Sequence, residues 1–166
     1  MTVEGSPSPV VAHCGSGVGM RRRLLDVTEG DSGVEAVPFS DAFPAIESLR
    51  ESGVKTAIVS NCSRSTQAVV NRLGLLDRVD KVVLSFEVGS AKPDSEIFRH
   101  ALRLLDSDAG LFVDGQTSYL DGAARVGLST VQINPSRGPQ PEATPSHPRR
   151  SDLLGRTVRA CQRRVR

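Results

Sequence analysis

Tryptophan is absent from these 166 residues, tyrosine occurs once and cysteine three times. Cys14, Cys62 and Cys161 lie far apart, with neither a CxxC pair nor a Cys/His pairing at metal-ligand spacing. That excludes a disulfide framework or a zinc site and points to reduced thiols in a cytoplasmic protein. Long apolar runs are also missing. No stretch approaches the roughly 18 apolar residues that a membrane-spanning helix needs, so a membrane protein is excluded. The opening MTVEGSPSPVVAHCG carries an acid and has no apolar core segment, so no signal peptide is expected. Lysine occurs three times against 18 arginines. A bias spread over the whole chain reads as genomic base composition, not as adaptation to nucleic acid. What remains is enough for one ordinary domain with a short tail, able to bury a core without staples.

Charge divides the chain. Residues 135–166 hold eight arginines against Glu142 and Asp152, a local balance of +6, which leaves −4 for residues 1–134. That basic stretch lacks aromatic side chains for base stacking, so electrostatics alone would have to carry a nucleic-acid role and none is favoured. Residues 1–36 read as an irregular, Gly- and Ser-rich segment. Residues 37–134 alternate between strand and helix patterns. Residues 135–150, with five prolines, read as a linker, and 151–166 as an Arg-rich tail.

Within the middle zone, Ala42, Ala45, Ile46 and Leu49 predict a helix over Asp41–Glu51, stopped by Gly53. Val54–Val59 predicts a buried strand. A helix follows from Ser63 or Arg64 to Leu73, then a strand over Lys81–Ser85 and a longer helix opened by Pro93. Leu111–Val113 predicts a third strand, Ser118–Val126 a helix and Thr130–Ile133 a fourth strand. Continuous apolar strands alternating with helices imply an α/β fold, a three-layer parallel sheet with helices on both faces. In such sheets functional residues gather beyond the strands' carboxyl ends. Ser60 and Asn61 follow one strand, Glu87 and Lys92 the next, Asp114 the third. A hydroxyl, a cation and a carboxylate at one sheet edge suit a phosphate and metal site. The plainer alternatives are that Ser60 caps a helix, Lys92 pairs with Glu87 or Asp94, and Asp114 caps a turn.

VKTAIVSNCS, FEVGSAKPDSEIFRHAL and LFVDGQTSYLDGAARVGL, in that order, resemble the second, third and fourth motifs of the haloacid dehalogenase (HAD) superfamily, most of whose members are phosphatases. VPFSDAFPAIESLRESG is similar to the segment before the second motif. The resemblance covers about residues 37–134 and implies a Rossmann-like hydrolase fold acting by phosphoryl transfer on a small phosphorylated metabolite. It implies that Ser60 donates its hydroxyl to the transferring phosphoryl group, supported by the Asn61 backbone. Lys92 would neutralise charge there, and Asp114 would hold Mg²⁺ directly or through water. Catalysis would therefore rest on Ser60, Lys92 and Asp114, substrate binding on Ser60, Asn61 and Lys92, and the metal on Asp114.

Two departures stand out. The fourth motif carries a second acid directly after the first or five residues on, where this chain has Gly115 and Tyr119. The first motif, an apolar strand ending in DxD, is not recognisable in residues 1–36. RRRLLDVTEGD offers Asp26, with Thr28 two residues later, as a degraded nucleophile motif. PVVAHCGSGVG offers a short strand, Val10–Ala12, for the central slot, which would bring His13 or Cys14 near the site. Gly15, Gly17 and Gly19 lack the spacing of a dinucleotide fingerprint. The expected fold therefore lacks or replaces its central first strand. The expected function is a truncated or degenerate HAD-like hydrolase with weak or no activity as given. The alternative is a non-catalytic phosphate-binding or interaction domain on the same scaffold.

Overall fold

The computed structural model describes residues 10–12, 20–24, 34–38, 40–62, 71–133 and 149–150. Its elements in chain order are β1 (Val10–Ala12), β2 (Met20–Leu24), β3 (Val34–Pro38), α1 (Ala42–Glu51), β4 (Thr56–Ser60) and β5 (Lys81–Leu84). They continue with α2 (Ser85–Val88), α3 (Ser95–Leu104), β6 (Leu111–Asp114), α4 (Thr117–Ala124), β7 (Ser129–Ile133) and β8 (Arg149–Arg150). Residues 71–72 are helical, in line with the predicted helix ending near Leu73. Its residues 63–70 lie outside the described part, as do Asp26, His13, Cys14 and the tail over 151–166.

The main sheet runs β5-β4-β1-β6-β7-β8 and is parallel throughout. Its centre is β1, with Ala12 opposite Ile58 on one side and Val113 on the other. The central strand is thus replaced by Val10–Ala12. Residues 1–36, expected as irregular, supply two strands and the start of a third. β2 and β3 form a separate antiparallel pair with Arg22 opposite Ala36. β8 adds Arg149 and Arg150, the last two residues of the stretch expected as linker, to the outer edge beside β7.

Side chains alternate across the sheet as strand geometry requires. Ala57, Val59, Val83 and Phe112 point to one face, where Ile97, Phe98, Ala101 and Leu102 of α3 and Leu120 and Ala123 of α4 cover them. Val113, Val131 and Ile133 point to the other, against Ala45 and Leu49 of α1. Ile58 packs on that second side with Leu75 and Phe43. The Phe98 and Phe112 rings meet edge to face, 5.1 Å between centroids and 80° between planes. This is a favoured aromatic geometry.

Local chemistry explains where elements begin and end. α1 stops because Gly53 takes φ +70° and its N–H reaches the Arg50 carbonyl at 3.0 Å. The Val54 N–H returns to the Leu49 carbonyl at 3.0 Å. Val54 therefore belongs to the helix stop, and the strand predicted from Val54 begins at Thr56 instead. That shift makes Ser60 the strand's last residue. The helix expected from Pro93 begins at Ser95, because the Asp94 N–H closes a turn on the Ala91 carbonyl at 2.8 Å. The Lys92–Pro93 peptide is cis. Among the described residues no helix is long and apolar enough to cross a membrane.

Candidate functional site

Three strands of the parallel sheet end at one edge, β5 beside β4, and β6 on the far side of β1. β4 delivers Ser60 and leads into Asn61 and Cys62, β5 leads through α2 into the loop carrying Lys92, and β6 delivers Asp114. Ser60, Lys92 and Asp114 are all buried. The Lys92 ammonium donates to the Val59 carbonyl at 2.9 Å and to Asp114 Oδ2 at 3.2 Å. Both side chains of this ion pair are fully buried, at 0% exposure. Lys92 thus pairs with Asp114, and not with Glu87 or Asp94. Asp114 also takes a turn-closing role, with Oδ1 accepting the Gln116 N–H at 2.8 Å. Lys92 and Asp114 are thus brought together, and the buried Ser60 follows Val59, whose carbonyl the ammonium holds.

Asn61 does more than follow the strand. Its Oδ1 accepts the Lys92 N–H and its Nδ2 donates to the Lys92 carbonyl, both at 2.8 Å. One carboxamide therefore satisfies both backbone groups of the residue that carries the ammonium. Asn61 Nδ2 also lies 3.5 Å from the Tyr119 hydroxyl. The Tyr119 ring centroid is 4.9 Å from Lys92 Nζ, and the Phe112 centroid is 5.7 Å from it. Such faces attract an ammonium through the ring quadrupole. Tyr119 and the side chain of Asn61 are the site features that sequence reasoning missed. The signal for Tyr119 was its place five residues after Asp114, on α4 and facing back toward the strand end.

Packing locks the Lys92 loop from behind. A Cβ built on Gly122 would collide with the Pro93 carbonyl oxygen and come within 2.9 Å of Pro93 Cβ and 3.0 Å of Phe98 Cε2. Only glycine lets α4 approach the Lys92–Pro93 turn this closely. On the β4 side, Ser85 Oγ accepts the Cys62 N–H at 3.0 Å and donates to the Cys62 carbonyl at 3.2 Å. Burial pushes the Cys62 thiol above its ordinary value, opposed by hydrogen bonding to the Ser60 side chain and the Ser85 backbone.

The described residues do not suit Mg²⁺. Asp114 is the acid at the strand end, and both its oxygens are engaged, one by an ammonium. The position of the second acid is a phenol. Among the described residues no three of His, Cys, Asp and Glu gather as a metal site would require. Asp26 lies outside the described residues, and β2, the strand before it, belongs to the two-stranded sheet.

A family model described as haloacid dehalogenase-like hydrolase matches residues 20–127. The chain is 43% identical over 100 residues to ribulose-1,5-bisphosphate 5-phosphatase of Halopiger xanaduensis, across 58% of this chain and 42% of that protein. It is 35% identical over 107 residues to (S)-2-haloacid dehalogenase of Pseudomonas sp. strain YL, across 63% of this chain and 46% of that one. A HAD phosphatase from Thermococcus onnurineus superposes with a TM-score of 0.65 at 25% identity, over 71% of this chain and 55% of that one. The matched region spans less than half the length of both curated relatives.

Proposed function

The chain belongs to the haloacid dehalogenase-like hydrolase family, and from that premise we propose that it handles a phosphate ester where β4, β5 and β6 end. The single observation that carries this reading is the buried Lys92–Asp114 pair, with the buried Ser60 ending β4 at the same sheet edge, where an open parallel sheet binds ligands. Ser60 would donate its hydroxyl to a phosphoryl oxygen. Lys92 would set the local positive potential, held in place by Asn61 and Asp114. A small phosphorylated metabolite in the cytoplasm fits this chemistry, as does the similarity to a sugar bisphosphate phosphatase.

Turnover by residues 1–166 alone should be weak or absent. Bond cleavage in this family's manner needs a carboxylate nucleophile, and the residues that follow β1 in sequence are His13 and Cys14. That same fact favours the second reading, a phosphate-binding or interaction domain that retains the scaffold without catalysis. Attraction of a phosphate binds substrate but does not by itself lower the barrier.

Phosphate release from a generic aryl phosphate separates the two. Slow release that Lys92→Ala abolishes supports the hydrolase. Binding of inorganic phosphate without any release supports the second reading. Fast release lost in Asp26→Asn would make Asp26 the nucleophile and overturn the expectation of weak turnover.

A further inference from the structure

Position 119 decides the charge of the centre. With a carboxylate there, one ammonium would face two acids, and the excess negative charge would draw a divalent cation. With Tyr119 there, among the described residues the ammonium is paired with the Asp114 carboxylate at 3.2 Å, one charge against one. The phenol ring stands 4.9 Å from Lys92 Nζ, so it favours the ammonium while carrying no charge. Its hydroxyl is tied into the Asn61 amide at 3.5 Å.

Asp114 is poorly placed to change partners. Mg²⁺ demands near-octahedral oxygens at about 2.0–2.1 Å and dehydrates reluctantly. To reach Asp114 it would have to enter a fully buried pair and sit within a few ångströms of the Lys92 ammonium. Like charges at that separation repel strongly in a low-dielectric surrounding. The other oxygen is committed to the Gln116 N–H at 2.8 Å. Sequence adds nothing to the ligand set, because no acid occurs between β1 and Asp26.

We propose that this centre works without a divalent cation: Lys92 is the built-in counter-charge of Asp114, and Tyr119 is the residue that excludes the metal. The metal claim stands on residues 92, 114 and 119, and only its bearing on phosphate chemistry rests on the hydrolase reading above.

The test uses the full chain. Tyr119 is its one tyrosine and tryptophan is absent, so intrinsic emission reports on position 119 alone. Mg²⁺ is titrated by calorimetry and by that emission. The expected result is no saturable binding at millimolar Mg²⁺ and no change in emission. Tyr119→Asp, followed by calorimetry because it lacks the fluorophore, should gain at least about tenfold in Mg²⁺ affinity, equivalent to about 1.4 kcal/mol. Saturable Mg²⁺ binding by the unsubstituted chain, lost in Asp114→Asn, would overturn the proposal. So would a folded Tyr119→Asp chain with no gain. If that variant does not fold, the unsubstituted chain still decides. Absence of phosphate release tells against the hydrolase reading alone, since the metal titration reads Asp114 and Tyr119 directly.

Discussion

A buried charge is tolerated only with its partner, and Lys92 with Asp114 shows the consequence at the scale of single residues. Removing one partner leaves the other charged and dry, which destabilises by about 3–5 kcal/mol. Lys92→Met and Asp114→Leu should each lower the unfolding free energy by that much, measured by urea titration, and the double variant should be more stable than either single one. A double variant as unstable as the sum of the two would show that the pair is not coupled. Asn61→Leu should cost about 1–3 kcal/mol for each of the two Lys92 backbone groups left unpaired. The check is a lower midpoint with an unchanged denaturant slope. Cys62 gives a pH signature. Its raised thiol value means that alkylation should set in at higher pH than for an exposed thiol. The associated stability is whole below the ordinary thiol value and is lost as pH rises from there through the raised value of the folded state. The positions of Ser60 and Asp114 were legible in the sequence because each polar residue closes an apolar strand at the same sheet edge, and Lys92 was legible from its motif, in the loop beyond α2. The Asn61 clamp was not, because its partner lies 31 residues away and only the folded loop brings them together.

Elements that are long and bounded by clear stops read well, and short ones do not. α1, α3, β6 and β7 lie within two residues of expectation, since each has several apolar positions at one period and a turn signal after it. β2 did not show itself because MRRRL offers no apolar alternation, and it pairs only within a two-stranded ribbon. α2 is four residues long, too short for any period to appear. Contact between elements makes its own demand at Gly122, where α4 meets the Lys92–Pro93 turn. Alanine is the better helix former by about 1 kcal/mol. Yet its methyl would meet the Pro93 backbone, and overpacking of that kind costs about 1–3 kcal/mol. Gly122→Ala should therefore be neutral to destabilising and, by shifting the Lys92 turn, should alter Tyr119 emission. A clear stabilisation with unchanged emission would refute the close packing.

At the scale of the whole molecule, three residues near the amino end hold two halves of a sheet together. The sequence pattern placed the α/β body at about residues 37–134, and a three-residue apolar run upstream was only a candidate for the empty slot. Tertiary pairing settles it, since β4 and β6 have no ladder with each other and each pairs with β1. Neighbouring strands lie about 4.7–4.9 Å apart, so without β1 the two would face each other across roughly 10 Å. Their inward N–H and C=O groups would lose their partners beneath the helices, at about 1–3 kcal/mol for each group kept from water. A few such groups match the whole net stability of an ordinary domain, about 5–15 kcal/mol. A chain beginning at residue 37 should therefore unfold without a cooperative transition and expose apolar surface, even though it retains the Ser60, Lys92 and Asp114 motifs. Circular dichroism during urea titration, beside the full chain, is the measurement. The same change should also abolish the solvent protection of the Lys92–Asp114 pair. A sharp transition at the full chain's midpoint would mean that β4 and β6 close on each other, and that β1 is dispensable to the fold.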